Sequence, residues 1–312
     1  MNKIIEKIQQ KLGHPSLLSD LNKKLSGTEF NSVLLELFRR RAASVSPSQL
    51  MQQFTTNRFV APSSVEPLAM KALELECLQF AQERQFEPLI LSPLAPLGSC
   101  TAVGAVDQNN VVSSLRSTEV VSDATNVLAL KIAREVQENP DKAQIFRYAA
   151  THRHVRGQAF DNPAFSAHFA IFCLASGGYD SGNDRFEVTQ LREHLQLHYQ
   201  LLTQYFDDHR LTIKLFLREE NPVFRDRLAE SLSQLKEYPK IEWVEHYDQG
   251  DYYQQVQYKI YLQLPGQMID LADGGVVDWT QKLLSNRKHR LFISGTGLEL
   301  VHKLAKQGID NE

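Results

Sequence analysis

Side chains that can hold an anion are concentrated in one polar stretch near the middle of the sequence. Guanidinium groups bind phosphates or carboxylates through paired hydrogen bonds, and amides and imidazoles add further donors. We expect a binding loop over residues 151–163, between a strand that opens at residues 145–148 and a return strand over 165–174. A solvated hairpin tip is the alternative. The polar residues are His152, Arg153, His154, Arg156, Gln158, Asp161 and Asn162.

Glycine pairs end two apolar runs late in the chain. Gly274 and Gly275 follow a run that ends at Asp273, and Gly295 and Gly297 flank a threonine before a helical pattern. Backbone without side chains lets a flat ligand lie against a strand. We therefore predict two neighbouring strands that form the floor of a pocket. The alternative is a bulge or a tight turn at each pair.

Cysteines and histidines give no pattern typical of a metal site. Cys77, Cys100 and Cys173 are far apart and show no C-x-x-C spacing, which argues against zinc or a disulfide framework and favours a reducing compartment. His194 and His198 have a spacing that could bind a metal, but the glutamate of an H-E-x-x-H motif is missing between them. We interpret both as surface histidines and predict no metal ligands.

The composition is that of an ordinary globular protein. The chain has 312 residues, of which 42% are hydrophobic and 23% charged, enough for one large domain or a large and a small one. The formal net charge of -3 gives no overall field to attract a polyanion, so bulk affinity for nucleic acid is not expected. Without a signal sequence or a long apolar window, we expect a cytoplasmic protein with no membrane partner.

The order of patterns divides the chain into two regions. Residues 1–62 show the apolar stripes of short helices, and a capping box runs from Ser46 to Gln49. Residues 63–312 mix helices with strands, including a hairpin expected from residues 103–115. This pattern predicts an α+β domain with a mostly antiparallel sheet flanked by helices, preceded by a small helical segment.

Six segments, taken in order, resemble the motifs of class II aminoacyl-tRNA synthetases, and the histidyl branch is the most similar. The resemblance covers roughly residues 65–305, and it implies that family's catalytic core and its two-fold dimer. Residues 86–93 resemble motif one, 146–149 (Phe-Arg-Tyr-Ala) motif two, and 295–300 (Gly-Thr-Gly-Leu-Glu-Leu) motif three; residues 115–119, 249–253 and 274–278 resemble segments of the histidyl type.

The resemblance implies ATP and Mg²⁺ as cofactors and assigns roles to individual residues. Arg147 would be the catalytic residue that grips the α-phosphate of ATP. The implied nucleotide-binding residues are Arg147, Arg153, Arg156, Gly295, Gly297 and Glu299. The implied substrate-binding residues are Arg116, Glu119, Gln158, Tyr252, Tyr253, Asp273, Gly274, Gly275 and Asp278.

Departures from the family pattern change the expected activity. Leu300 and Val276 stand where the family has arginines, and Ala149 replaces the glutamate of motif two. A guanidinium on a phosphate is not replaced by an aliphatic side chain. Together with the lack of an anticodon-binding extension after Gln307, these losses predict that the chain does not charge tRNA.

Two functions are compatible with this pattern. The first is ATP-dependent adenylation of an amino acid or a related carboxylate, in which positioning and charge neutralisation supply the rate. The second is a non-catalytic paralogue that binds a metabolite and signals to a partner protein, similar to the regulatory subunit of ATP phosphoribosyltransferase. A homodimer is expected in both cases, since motif one would otherwise leave part of the apolar surface of Leu73, Leu89 and Ile90 exposed to solvent.

Overall fold

The computed structural model describes residues 3–104, 106–158, 166–218, 221–233, 241–244 and 252–309. Asp161 and Asn162 of the polar stretch lie outside the described residues, as do residues 249–251 of one family-like segment.

Four helices form an N-terminal arm, which we define as residues 3–60. They are α1 Lys3–Lys11, α2 Leu17–Lys24, α3 Gly27–Ala43 and α4 Pro47–Thr56. Capping boxes begin α3 and α4: the Ser26 hydroxyl accepts from the backbone of Glu29, and the Ser46 hydroxyl accepts from Gln49. Such caps satisfy backbone donors that a helix leaves unpaired at its first turn. The capping box predicted at Ser46 is therefore confirmed.

An eight-stranded sheet organises the rest of the chain. Its order is β1-β4-β5-β10-β9-β8-β6-β7, and β2 pairs with β3 in a separate ribbon. Only the pairs β1–β4 and β6–β7 are parallel among the described strands, which confirms a mostly antiparallel sheet. The strands are β1 Glu87–Pro88, β2 Leu94–Pro96, β3 Thr118–Val120, β4 Ile145–Val155, β5 His168–Tyr179, β6 Leu211–Leu217, β7 Ile241–Val244, β8 Val256–Leu264, β9 Gln267–Val277 and β10 His289–Gly297.

Helices cover both faces of this sheet. Along β10, Leu291 and Ile293 pack with α7 and α10, whereas Phe292 packs with α8, because successive side chains of a strand point to opposite faces. We call the side of α7 the front face and the side of α5, α8 and α11 the back face. The helices are α5 Pro67–Glu83, α6 Ser99–Gly104, α7 Ala124–Glu138, α8 Arg185–Leu202, α9 Pro222–Ser233, α10 Trp279–Leu284 and α11 Leu298–Ile309.

Two local predictions are wrong. Residues 151–155 are not loop, since β4 continues to Val155 with an unbroken register against β5. The expected hairpin over 103–115 is absent, because residues 99–104 form α6 and residues 108–110 form a 3-10 turn. A carboxylate from β3 stabilises that helix: Glu119 accepts the backbone N–H groups of Gly98 and Cys100 at 2.7 and 3.2 Å. This contact is made across the tertiary structure, so local patterning cannot reveal it.

Candidate functional site

A cavity of about 500 Å³ opens on the front face beside β4, β5, β9 and β10. Its charged lining residues are Asp123, Asp270, Asp273 and Arg156, and His154 lines it as well. Cavities of this size hold small metabolites. The charges of the lining residues therefore decide which metabolites the cavity can bind.

Asp123 anchors one wall of the cavity. It is the N-cap of α7, where its Oδ1 accepts from the backbone N–H of Thr125 at 2.9 Å, and its Oδ2 accepts from the hydroxyl of Tyr252 at 2.7 Å. Burial by itself would raise the pKa of Asp123, but the neighbouring His154 and Arg156, together with these hydrogen bonds, lower it. The carboxylate is thus held ionised at neutral pH.

His154 is buried next to Asp123. Its Nε2 accepts the backbone N–H of Ala124 at 3.0 Å, so the proton of the neutral ring sits on Nδ1. Burial lowers the pKa of His154 to about 3, although Asp123 opposes that shift. Nδ1 has no hydrogen-bond partner among the described residues. The ring is therefore a neutral group with one spare donor.

A second acidic group lies on β9. The hydroxyl of Tyr253 donates to Asp273 at 3.1 Å, and Lys259 pairs with Asp270 at 2.7 Å. Burial and the nearby charge of Asp270 raise the pKa of Asp273 to about 6. Asp273 can therefore gain or lose a proton close to neutral pH.

Arg156 is the one Lys or Arg residue among the described residues that line the cavity. Its Nε donates to the backbone carbonyl of Ser122 at 3.3 Å, and its guanidinium lies 5.3 Å from the ring centre of Phe169. These contacts fix the cation beside the cavity. Asp270 is already paired with Lys259, so the carboxylates of Asp123 and Asp273 are left to face one guanidinium. This excess of carboxylate favours a cation or a zwitterion over a polyanion.

The arginine predicted to be catalytic lies elsewhere. Arg147 is on the back face of β4, where it pairs with Glu193 of α8 at 2.9 Å. Arg153 lies on the same face and pairs with Glu299 of α11 at 2.8 Å. Successive residues of a strand point to opposite faces of the sheet. Arg147 and Arg153 are at odd-numbered positions and His154 and Arg156 at even-numbered ones, so the two pairs lie on opposite faces. The expectation that Arg147 and Arg153 reach the cavity is therefore wrong.

Seven predicted site residues do line the cavity, and they are Arg156, Gln158, Tyr252, Tyr253, Asp273, Gly295 and Gly297. Their binding roles stay predictions. For Gly295, an added Cβ would make ordinary van der Waals contacts with Ile171, Phe172 and Cys173 at 3.4 to 3.9 Å, so its lack of a side chain is not required by packing. Part of the predicted pocket floor is thus present on β10.

The other glycine pair does not form the floor. A Cβ on Gly275 would lie 2.6 Å from the ring of Tyr253, and a Cβ on Gly274 would lie 2.6 Å from Ser294 on the back face. Gly275 is needed because a tyrosine ring of the chain itself occupies the space that we expected a ligand to fill. Gly274 and Gly275 are therefore packing residues.

The remaining predicted site residues are also away from the cavity. Glu119 caps α6, Glu299 is held by Arg153, and Asp278 pairs with Lys282 at 2.9 Å. Arg116 is exposed, in a turn with a positive φ of 63°. Each has a local partner or faces solvent, so none of them contributes to the cavity wall.

Sequence reasoning missed Asp123 and Asp270 as site residues. Asp123 had a usable signal, since Asp-Ala-Thr after the apolar pair Val120-Val121 is typical of a helix N-cap at a strand end. His154 was noted but placed in a loop. Asp270 had no comparable signal, because its pairing with Lys259 depends on the register of β8 and β9.

The interpretation of His194 and His198 as surface residues is wrong. Both are fully buried on α8 beneath the sheet. The hydroxyl of Ser294 lies 2.8 Å from His194 Nδ1 and 2.8 Å from His198 Nε2, and Thr296 lies 2.6 Å from His198 Nδ1. Ser176 of β5 lies 2.8 Å from His194 Nε2, so serine and threonine hydroxyls from β5 and β10 satisfy these rings, as buried polar groups require.

The described residues lack two further features. They contain no group of three or more His, Cys, Asp or Glu side chains arranged to hold a metal ion. None of their helices combines the length and the apolar character that crossing a membrane requires.

Comparisons with solved structures identify the fold. Apo histidyl-tRNA synthetase from S. aureus superposes with a TM-score of 0.58 at 13% identity, covering 78% of this chain and 68% of that chain. An ATP phosphoribosyltransferase regulatory subunit/histidyl-tRNA synthetase from Bacillus halodurans gives a TM-score of 0.60 at 12% identity, covering 78% and 81%. A histidine–tRNA ligase subunit from Alicyclobacillus acidocaldarius gives 0.61 at 11% identity, covering 81% and 97%.

Sequence comparison adds nothing to this result. No protein-family model matches the chain, and no curated protein matches it significantly in sequence. Identities of this size establish a shared fold and leave activity open. The chain therefore has the fold of the class II aminoacyl-tRNA synthetase catalytic core, in the form found in histidyl-tRNA synthetase-like proteins.

Proposed function

We propose that the chain is a metabolite-binding protein that holds a small zwitterion of the amino acid class in the front-face cavity. One observation carries this proposal: with Asp270 paired to Lys259, the described lining still sets the carboxylates of Asp123 and Asp273 against the single cation Arg156. An ammonium group can pair with a carboxylate on one side while a carboxylate group binds the guanidinium on the other. The hydroxyls of Tyr252 and Tyr253 are already oriented by Asp123 and Asp273.

ATP-dependent adenylation with Mg²⁺ is the competing proposal, and the lining residues fit it less well. A triphosphate concentrates negative charge, and adenylyl transfer depends on cations placed to neutralise it. The guanidiniums of Arg147 and Arg153 are on the other side of the sheet, neutralised by Glu193 and Glu299. Arg156 would have to hold the triphosphate close to three carboxylates.

The names of the similar structures support a binding role of this kind. One is described as a regulatory subunit of ATP phosphoribosyltransferase as well as a histidyl-tRNA synthetase. A regulatory role for this chain, in which metabolite binding is signalled to a partner protein, is part of the proposal. Histidine therefore belongs in the first panel of candidate ligands, together with the other amino acids.

A thermal-shift and calorimetry panel of amino acids, with ATP and Mg²⁺ as separate arms, tests the proposal. A true ligand at 100 times its dissociation constant should add about 2.7 kcal/mol to the free energy of unfolding. Arg156→Ala removes the guanidinium that would bind the carboxylate of the ligand. This variant should weaken binding by about 10- to 100-fold, since hydrogen bonds to charged groups contribute about 1.5–3 kcal/mol. Arg147→Ala is the matched control and should keep the affinity.

Two results would contradict the proposal. If no amino acid shifts the unfolding transition or produces heat, the cavity does not bind this class of ligand. If pyrophosphate is released from ATP in the presence of Mg²⁺ and an amino acid, and Arg156→Ala stops the release, the chain is an adenylate-forming enzyme.

A further inference from the structure

The first helix of the arm, α1, carries a continuous apolar stripe on its outer side. Ile4, Ile8 and Leu12 follow one another at intervals of four residues, and the backbone N–H of Leu12 donates to the carbonyl of Ile8 at 3.0 Å, so the helical path includes all three. Residues four apart lie on one face of a helix. Their exposed fractions are 64%, 45% and 61%. We call this surface the apolar stripe, and it faces solvent.

A row of lysines runs beside the apolar stripe. Lys3, Lys7 and Lys11 each precede a residue of the stripe by one position, which places them about 100° away around the helix. All three are exposed, and within the described part of the chain none of their ammonium groups has an acidic partner. We call them the lysine row. Together the stripe and the row form a surface that is apolar along its middle and cationic along one edge.

The opposite side of α1 packs within the arm. Gln9 is buried, and its Oε1 accepts the backbone N–H of Leu18 in α2 at 3.2 Å. The chain reverses at Gly13, whose φ is 64°, and the backbone N–H of His14 donates to the carbonyl of Gln9 at 3.0 Å. These contacts fix which side of α1 faces inward, so the apolar stripe is left on the outside.

The larger apolar helices of the arm lack this combination of groups. α4 contains no charged residue, and on α3 the guanidiniums of Arg39 and Arg40 are both paired with Glu36. α1 is therefore the helix that sets unpaired positive charge beside an exposed apolar stripe. Thirteen of the 21 large apolar residues that are exposed in the described chain lie before residue 61, so the arm is also the part of the molecule best suited to an apolar surrounding.

Charge determines how the molecule approaches an anionic surface. The arm holds nine Lys and Arg residues against four Asp and Glu residues, a formal charge of +5, whereas the rest of the chain holds 25 against 33, a formal charge of -8. An anionic surface attracts the arm and repels the remainder. A surface that also has an apolar interior can accept the stripe, and a lipid bilayer with anionic headgroups has both properties.

We propose that α1 binds the surface of anionic lipid bilayers, with the apolar stripe at the acyl chains and the lysine row at the headgroups. A basic amphipathic helix is typical of a membrane-surface element, and lysine stems extend along apolar surface while their ammonium groups stay in water. α1 is about 14 Å long, much shorter than the roughly 30 Å of hydrocarbon in a bilayer, so it lies in the plane of the interface. The proposal does not depend on the cavity or its ligand.

This proposal replaces the expectation that the chain has no membrane partner. That expectation was based on the lack of a signal sequence and of a long apolar window, and a helix that lies on a membrane needs neither of them. The few apolar side chains of the stripe predict binding that is weak and reversible.

Sedimentation of the full chain with lipid vesicles tests the proposal. The chain should sediment with vesicles of mixed phosphatidylglycerol and phosphatidylcholine, and it should stay in solution with vesicles of phosphatidylcholine alone. Raising the salt from about 50 mM to about 500 mM should release most of the bound chain, because salt screens the attraction between lysines and headgroups.

Matched substitutions assign the binding to α1. Ile8→Asp places a charge in the apolar stripe and should weaken binding by roughly tenfold or more, because that side chain would otherwise leave water on binding. Val223→Asp makes the same kind of change on α9, where Val223 is 57% exposed, and should bind like the unmodified chain. Lys7→Glu should weaken binding by roughly tenfold, since it reverses a charge near the headgroups. The exposed Lys288 gives the control Lys288→Glu, which should keep the affinity.

Circular dichroism should be unchanged in all four variants, since each of the substituted residues is exposed. Four results would overturn the proposal. The chain could stay in solution with anionic vesicles at low salt, or it could bind neutral and anionic vesicles equally. Ile8→Asp could bind as well as Val223→Asp. Finally, light scattering without lipid could show an oligomer that Ile8→Asp dissociates, while vesicles leave that oligomer in solution; the stripe would then be a protein contact.

Discussion

At the residue scale, the cavity is controlled by how each carboxylate is held. Asp123 accepts bonds from Thr125 and Tyr252 while it lies beside His154 and Arg156, and its pKa is lowered. Asp273 has a single tyrosine donor and a like charge nearby, and its pKa is raised. At mildly acidic pH, Asp123 therefore stays ionised while Asp273 takes up a proton. The difference arises because hydrogen bonds and nearby positive charge offset the effect of burial on the pKa of Asp123 but not on that of Asp273.

Asp273→Asn should stabilise the protein in a pH-dependent way. The pKa of this group is raised from 3.8 to about 6 in the folded protein, so ionising it costs the folded state stability above pH 6, and this cost disappears as pH falls towards 4. The variant should gain about 1–3 kcal/mol at pH 7.5 and nothing at pH 4, while its amide oxygen still accepts from Tyr253. Urea denaturation at both pH values measures this.

The exposed Asp226 of α9 provides the control variant, Asp226→Asn. If Asp273→Asn shifts stability equally at pH 4 and pH 7.5, the raised pKa is not the cause.

At the scale of elements, α6 depends on a strand that is distant in sequence. Glu119 of β3 accepts the first backbone donors of α6 and also the side-chain amide of Gln108 at 3.0 Å. A carboxylate at a helix N-terminus also interacts favourably with the helix dipole. Because Cys100 of α6 lines the cavity, this cap holds one part of the wall in position.

Glu119→Ala should destabilise the fold by about 2–4 kcal/mol, since it leaves several donors without an acceptor in a buried place. Arg116→Ala, three residues earlier in an exposed turn, should change the free energy of unfolding by less than about 0.5 kcal/mol. Chemical denaturation followed by circular dichroism compares the two. Equal effects would mean that the cap does not stabilise α6.

At the scale of the whole molecule, several histidines are kept neutral inside the fold. Burial lowers the pKa of His154 and of His198 to about 3, and it lowers that of His194 well below the usual value. The unfolded chain binds these protons near pH 6.5. Stability is therefore fully present above that pH and is lost as pH falls towards 3.

His198→Gln should reduce the acid sensitivity of the whole protein. Each neutral histidine contributes about 1.4 kcal/mol per pH unit to the fall in stability below pH 6, so the variant should have a shallower slope by about that amount. The cost of the lost hydrogen bonds to Ser294 and Thr296 should appear equally at all pH values. The free energy of unfolding, measured at several pH values with His209→Gln as an exposed control, tests this; an unchanged slope would contradict it.

Much of the architecture could be predicted because its causes are local. The capping serines, the alternation of apolar residues in strands and the glycines of β10 act within a few residues of themselves, so the sequence indicates where helices and strands form. The family resemblance also gave the correct fold. The short helix α6 was not predicted, because the contact that stabilises it comes from Glu119, which is too distant in sequence for local patterns to indicate.

The sequence alone determined that a strand opens at residues 145–148 and that its residues alternate between two faces, but it indicated a loop from residue 151, so the continuation of β4 to Val155 emerged only in the tertiary structure. Only the tertiary structure decided which face holds the cavity. That choice follows from long-range packing: α8 and α11 supply the glutamates that neutralise Arg147 and Arg153 on the back, while α7 supplies Asp123 at the front. Electrostatic pairing between elements far apart in the chain thus placed the cavity, and no pattern within a single strand contains that information.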